Sequence, residues 1–67
     1  MRMNLRAARV NKNLSQAQAA KLLGISVETL SRFERGITFP NVPIITKMEE
    51  VYGLSYDEII FLPENNG

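Results

Sequence analysis

A chain of 67 residues has room for one domain, and with neither Cys nor His that domain has no disulfide staple, no thiolate or imidazole metal ligand and no imidazole base. Its 45% hydrophobic residues supply one core, yet no apolar run approaches the ~20 residues needed to cross a bilayer. The net charge of +1 conceals a polarity: residues 1–35 hold seven basic side chains against two acidic ones, and residues 36–67 hold one against five. A chain polarised in this way can turn one basic face toward phosphate while staying nearly neutral overall. Solvated helix surfaces with accidental segregation are the plainer account.

Five helices are predicted from caps and breakers. The first covers residues 2–12 and stops at Asn13, which tolerates the left-handed backbone that often ends a helix. Its leading stretch is charged but has no apolar run behind it, so it is not expected to be a secretory signal. The second opens on a Ser15–Gln18 capping box, continues through good helix formers (Ala17, Ala19, Ala20, Leu22, Leu23) and stops at Gly24. The third is capped by Ser26, runs through Glu34 and breaks at Gly36. Residues 38–41 form a loop, since Pro40 disfavours a helical Phe39. The fourth starts at Asn41, tolerates Pro43 in its first turn and ends at Gly53. The fifth starts at a Ser55–Glu58 capping box and fades by Pro63. The expected domain is therefore residues 1–62, with a polar tail over 63–67. No alternating strand pattern is evident, so the expected fold class is all-α, a compact five-helix bundle.

Residues 16–35 form a unit. Ala19, Ala20 and Leu23 share one face of the second helix, and Leu30 and Phe33 share the inward face of the third. Ala20 is small where two steeply crossing helices approach. Gly24 lacks a Cβ where the chain must reverse. Together with the caps, these demands describe a tight helix-turn-helix.

The chain resembles the helix-turn-helix family of phage repressors and Cro proteins, also called the xenobiotic-response-element type. The likeness rests on Leu5-Arg6, Arg9, Leu14-Ser15-Gln16, Ala20, Gly24-Ile25-Ser26, Thr29-Leu30-Ser31-Arg32, Glu34-Arg35-Gly36 and Pro40, then on Lys47 and Gly53-Leu54-Ser55. It covers roughly residues 2–62. It implies a lambda-repressor-like bundle whose third helix lies in the DNA major groove. It also implies roles. Gln16 would meet a phosphate and the edge of the recognition helix. Val27, Glu28 and Arg32 fall where family members read bases. Thr29 and Ser31 lie within reach of phosphate or base, and Arg35, Thr38 and Asn41 belong to the loop that grips the next phosphates. Positions 27 and 28 commonly hold Gln in the family, and this chain departs there. Arg9 and Glu34 occupy the positions of a partly buried ion pair, a phosphate contact by Arg9 being the alternative.

The chemistry of the reading side chains stands on its own. Arg32 can donate twice to guanine O6 and N7, Glu28 can accept from the cytosine amino group, and Val27 can pack on a thymine methyl.

The expected core is Leu5, Ala8, Leu14, Ala19, Leu23, Ile25, Leu30, Phe33, Ile45, Met48, Tyr52, Leu54 and Ile59, with Tyr56 at its margin. Ile44, Val51, Ile60 and Phe61, followed by Leu62, exceed what one small core needs. They suggest either a homodimer interface or a wider core. Glu49 stands where the family commonly has a small apolar residue.

The resulting expectation is a cytoplasmic, sequence-specific regulator of transcription of the repressor kind, binding double-stranded DNA as a homodimer on a palindromic site. The second candidate is the same module acting through a protein partner, as an antitoxin or transcription-complex adaptor. Steep salt dependence on a defined duplex separates the two. An enzyme is not expected, nor any cofactor or metal. The carboxylates are scattered, and no glycine-rich loop could cradle a phosphate.

Overall fold

Each helix begins where a short polar side chain can accept a backbone N–H that the first turn leaves unpaired. Asn4 Oδ1 accepts from the Ala7 N–H at 2.7 Å and opens α1, Leu5–Asn11. Ser15 Oγ accepts from the Gln18 N–H at 3.0 Å while Gln18 Oε1 accepts from the Ser15 N–H at 2.8 Å, a complete capping box at the head of α2, Gln16–Leu23. Ser26 opens α3, Val27–Glu34, and Asn41 opens α4, Val42–Tyr52, in the same manner. The computed structural model describes residues 1–61, so Leu62 and the expected tail over 63–67 lie outside the described residues.

Among the described residues four helices result, not five, and the fold is mostly helical rather than all-α. The N-terminal segment departs first. Asn4 is a cap, so the helix starts at Leu5, and Met3–Asn4 form a short strand, β1. That strand pairs in parallel with β2, Ile59–Ile60, in the register Met3 to Ile59 and Asn4 to Ile60. The expected fifth helix shrinks to a three-residue 3-10 turn, Tyr56–Glu58. Its Glu58 N–H returns to the Ser55 carbonyl at 2.9 Å. The Ser55–Glu58 capping box is present, with Glu58 Oε1 accepting from the Ser55 N–H at 3.0 Å, and the Ser55 hydroxyl also donates to the Asp57 and Glu58 carboxylates. Two β-branched residues follow and suit an extended backbone better than another helical turn.

The core gathers Leu5 and Ala8 of α1, Ala19, Ala20 and Leu23 of α2, Leu30 of α3, Met48 and Tyr52 of α4, and Ile59 of β2. Burying a side chain such as Leu30 or Met48 contributes roughly 1.5–3 kcal/mol. α2 packs on both α3 and α4, while α1 packs on α3 and on β2. Ile59 carries the C-terminal segment into the same core as α1, which explains why so short a strand is retained. Tyr56, expected at the margin of the core, is exposed. Ile44 and Val51 are half-buried and pack against the core. Among the described residues no helix is long and apolar enough to cross a membrane.

Candidate nucleic-acid interface

The turn between α2 and α3 depends on one backbone sign. Gly24 has φ +75, and a Cβ built there would meet nothing within 4 Å. Glycine is thus required by the left-handed backbone and not by crowding. The Gly24 N–H reaches the Lys21 carbonyl at 3.2 Å, and the Ile25 N–H reaches the Ala20 carbonyl at 3.0 Å. This double closure ends α2 and re-aims the chain within three residues. Asn13 ends α1 in the same backbone region at φ 58.

With its inward face held by buried Leu30 and half-buried Phe33, α3 turns Val27, Glu28 and Arg32 to solvent. Arg32 Nη2 donates to Glu28 Oε2 at 3.0 Å, with side chains 51% and 74% exposed. Thr29 is half-buried, and its hydroxyl oxygen accepts from the Ser26 hydroxyl at 2.9 Å. Ser31 is half-buried and accepts from Arg35 Nε at 3.2 Å. Arg35 and Thr38 are exposed beyond the end of α3. Asn41 is exposed as well, but its carbonyl oxygen caps α4 at the Ile44 N–H, leaving its amide hydrogens to donate. Counting Gln16, whose amide donates to Glu34, seven of the nine residues expected to meet DNA already hold a neighbour through their side chains, and that organises the surface.

Behind this face lies a buried polar cluster. Arg9 Nε donates to Glu34 Oε2 at 2.7 Å and Arg9 Nη2 to Glu34 Oε1 at 3.2 Å, while Nη1 donates to the Leu14 carbonyl at 2.9 Å. Gln16 Nε2 donates to Glu34 Oε1 at 3.1 Å. One carboxylate at the end of α3 thus ties down both α1 and the start of α2. The bond to Glu34 raises the Arg9 pKa against the opposing effect of burial, keeping the guanidinium charged. All three Arg9 nitrogens donate inward. Tyr52 lies close by, with its hydroxyl buried and without a partner among the described residues. Burial pushes its pKa up to about 12, the Glu34 charge adds to the shift and Arg9 opposes it.

The sequence did not reveal the Leu14 carbonyl, the stranded Tyr52 hydroxyl or the packing of Phe39, Tyr56 and Phe61 into one aromatic group. Phe61 packs 5.0 Å from Phe39 and 5.5 Å from Tyr56, ring centre to ring centre. Phe39, Val42 and Tyr56, 61%, 73% and 53% exposed, border a groove of about 570 Å³ that Ile45 and Glu49 also line. Glu49 is half-buried there and has no ion-pair partner among the described residues. Ile60 is exposed. A bulky residue set just before Pro40 was the available signal for Phe39.

The helix-turn-helix family model matches residues 5–59, from the start of α1 to the start of β2. The chain is 42% identical over 55 residues to the uncharacterized HTH-type transcriptional regulator YazB of Bacillus subtilis (strain 168), a match covering 82% of this chain and 80% of that protein. It is 33% identical over 54 residues to multiprotein-bridging factor 1c of Arabidopsis thaliana, covering 81% of this chain. The chain spans only 36% of the length of that plant protein. No solved structure matches. With the capped helices, the glycine turn and the family match running over the same residues, the chain belongs to the Cro/C1-type helix-turn-helix family.

Proposed function

We propose that the protein is a cytoplasmic, sequence-specific regulator of transcription that binds double-stranded DNA, a repressor of the Cro kind, with α3 in the major groove. The observation that carries this reading is the outward face of α3, where Val27, Glu28 and Arg32 stand open on a helix fixed from behind by Leu30 and by the Arg9–Glu34 pair. Val27 offers an apolar contact for a thymine methyl, Glu28 an acceptor and Arg32 a donor fork. Thr29 and Ser31 flank them at phosphate or base distance. Gln16 at the start of α2, and Arg35, Thr38 and Asn41 after α3, hold the backbone on either side, which sets register without reading sequence. Family membership and the bacterial relative named as a transcriptional regulator support the same reading.

One recognition helix gives limited specificity, and paired half-sites a helical turn apart suit a two-fold dimer. Phe39, Val42, Tyr56 and Phe61, with Ile60 nearby, make the apolar surface that supports such a dimer. Ile44 and Val51, expected at the same interface, are half-buried against the core.

Selection of bound duplexes from a random library tests the proposal. The expected result is one enriched palindromic motif whose affinity falls steeply with salt, as several neutralised phosphates require. No enrichment together with a flat salt response overturns it. That outcome favours a second reading, a module that docks on protein. The apolar groove supports this alternative, as does the plant relative's name as a bridging factor.

A further inference from the structure

Glu28 and Arg32 stand one turn apart on the outward face of α3 and are bonded to each other at 3.0 Å. An exposed pair at this spacing adds little to folding. A carboxylate on a surface turned toward DNA is also a liability, because it repels phosphate unless its charge is balanced and its oxygens meet donors. Arg32 supplies the balance. The bond uses one of the five N–H groups of Arg32 and leaves enough for a two-point contact with guanine O6 and N7.

The second oxygen of Glu28, Oε1, accepts no hydrogen bond among the described residues. In the major groove the base donors are the amino groups of cytosine and adenine. Adenine sets the N7 acceptor beside its amino group, which a carboxylate would face with like polarity. Cytosine presents a donor and no acceptor, so it is the better partner. Spacing narrows the target further. Four helical residues rise about 6 Å, less than two base-pair steps of 3.4 Å.

We propose that Glu28 and Arg32 read DNA as one bonded unit: Arg32 takes a guanine, while Glu28 holds the Arg32 fork in place and takes a cytosine amino group on the same or an adjoining base pair. The target then carries a contiguous G·C contact at this point of each half-site. Glu28 is a positioning and specificity residue for Arg32. The inference rests on the DNA-binding reading above. The competing account is structural, since Glu28 in the first turn of α3 also faces the positive end of the helix dipole.

The experiment is duplex selection and titration with the full chain and with E28A, E28Q, R32A and the double variant E28A/R32A, alongside thermal melts of each. R32A should lose about 5- to 150-fold of guanine discrimination. E28A should lose the cytosine preference together with most of the guanine preference, and the double variant should lose no more than R32A alone. E28Q should move the cytosine position to adenine, because an amide both donates to N7 and accepts from the amino group. If E28A keeps its full guanine preference, or the two losses add, the coupled unit is overturned while DNA binding stands. An E28A protein that melts lower with its base choice unchanged overturns it in favour of the dipole account. If the unaltered protein prefers no duplex at all, this inference falls together with the reading it rests on.

Discussion

Arg9 Nε and Glu34 Oε2 meet at 2.7 Å across 25 residues of chain, with side chains 10% and 4% exposed. The pair bolts α1 to the end of the recognition helix, and Gln16 joins it from α2. Removing either partner leaves a charge buried without compensation. R9A and E34A should each lose about 3–5 kcal/mol in urea denaturation. A 67-residue domain has little stability in reserve, so both variants should be largely unfolded at room temperature. Replacing both residues with apolar side chains of similar volume, R9M/E34L, should restore most of the loss, because desolvating the pair is itself costly. A double variant as unstable as the single ones would show that geometry at this site, and not charge burial, governs stability.

Tyr52 gives a pH signature. Its pKa is raised to about 12 from the ordinary 10, first by burial and then by the Glu34 charge. Because burial penalises the tyrosinate, the unfolded chain ionises first, so stability is undiminished below pH 10 and falls as pH rises toward 12. Two pKa units correspond to roughly 2–3 kcal/mol. Urea midpoints should therefore fall across that window in step with tyrosinate absorbance. Y52F should lack this component and lose little at neutral pH, since the hydroxyl it removes has no partner among the described residues. An alkaline transition of equal size in Y52F would place its origin elsewhere.

Substitution of Gly24 separates backbone strain from crowding. A Cβ there touches nothing within 4 Å, so G24A should cost only the left-handed backbone penalty of about 1–2 kcal/mol. G24N should cost less, because Asn tolerates that region, as Asn13 does at φ 58. Thermal melts that rank Gly above Asn above Ala are expected. Equal losses for Ala and Asn would point to a steric demand instead.

These results show which parts of the molecule the sequence exposes. Ser15, Ser26 and Asn41 announce helix starts because a cap acts within three residues, and Gly24 announces a stop for the same local reason. The α3 face is legible because Leu30 and Phe33 mark its inward side, leaving Val27, Glu28 and Arg32 outward. The pairing of Met3 with Ile59 is not legible. Two-residue strands have no periodicity, and their partners lie at opposite ends of the described chain. Asn4 could have been read as a cap, which would have placed the start of α1 at Leu5. The Ser55–Glu58 capping box forms, with Glu58 Oε1 accepting from the Ser55 N–H at 3.0 Å, but it opens only a three-residue 3-10 turn and not a helix. Ile44 and Val51 read as surplus because a stripe beside the core looks the same in sequence as a stripe facing a partner.

Arg35 and Arg32 should fail in different ways. Arg35 sits past the end of α3, bonded to Ser31, where phosphate contact requires no base. R35A should weaken binding to every duplex alike and reduce the slope of log affinity against log salt by about 0.9. R32A should change which duplex is preferred. Titrations at several salt concentrations on matched and mismatched sites check this. A change of base preference in R35A would move the reading face beyond α3.

Phe39 is exposed beside Val42 and Tyr56, with its ring against Phe61, so these side chains present an apolar patch to solvent. Because Phe39 is not a core residue, F39E should leave the melt nearly unchanged. A charge there would oppose a two-fold contact twice, once from each copy, and Glu49 of the same groove would add like-charge repulsion. F39E should therefore bind a single half-site as the unaltered protein does and lose the gain in affinity on a palindrome. Sedimentation on a palindromic duplex should show one copy bound where the unaltered protein shows two. Two copies of F39E bound with undiminished affinity would assign the dimer contact to another face and leave the groove for a different partner.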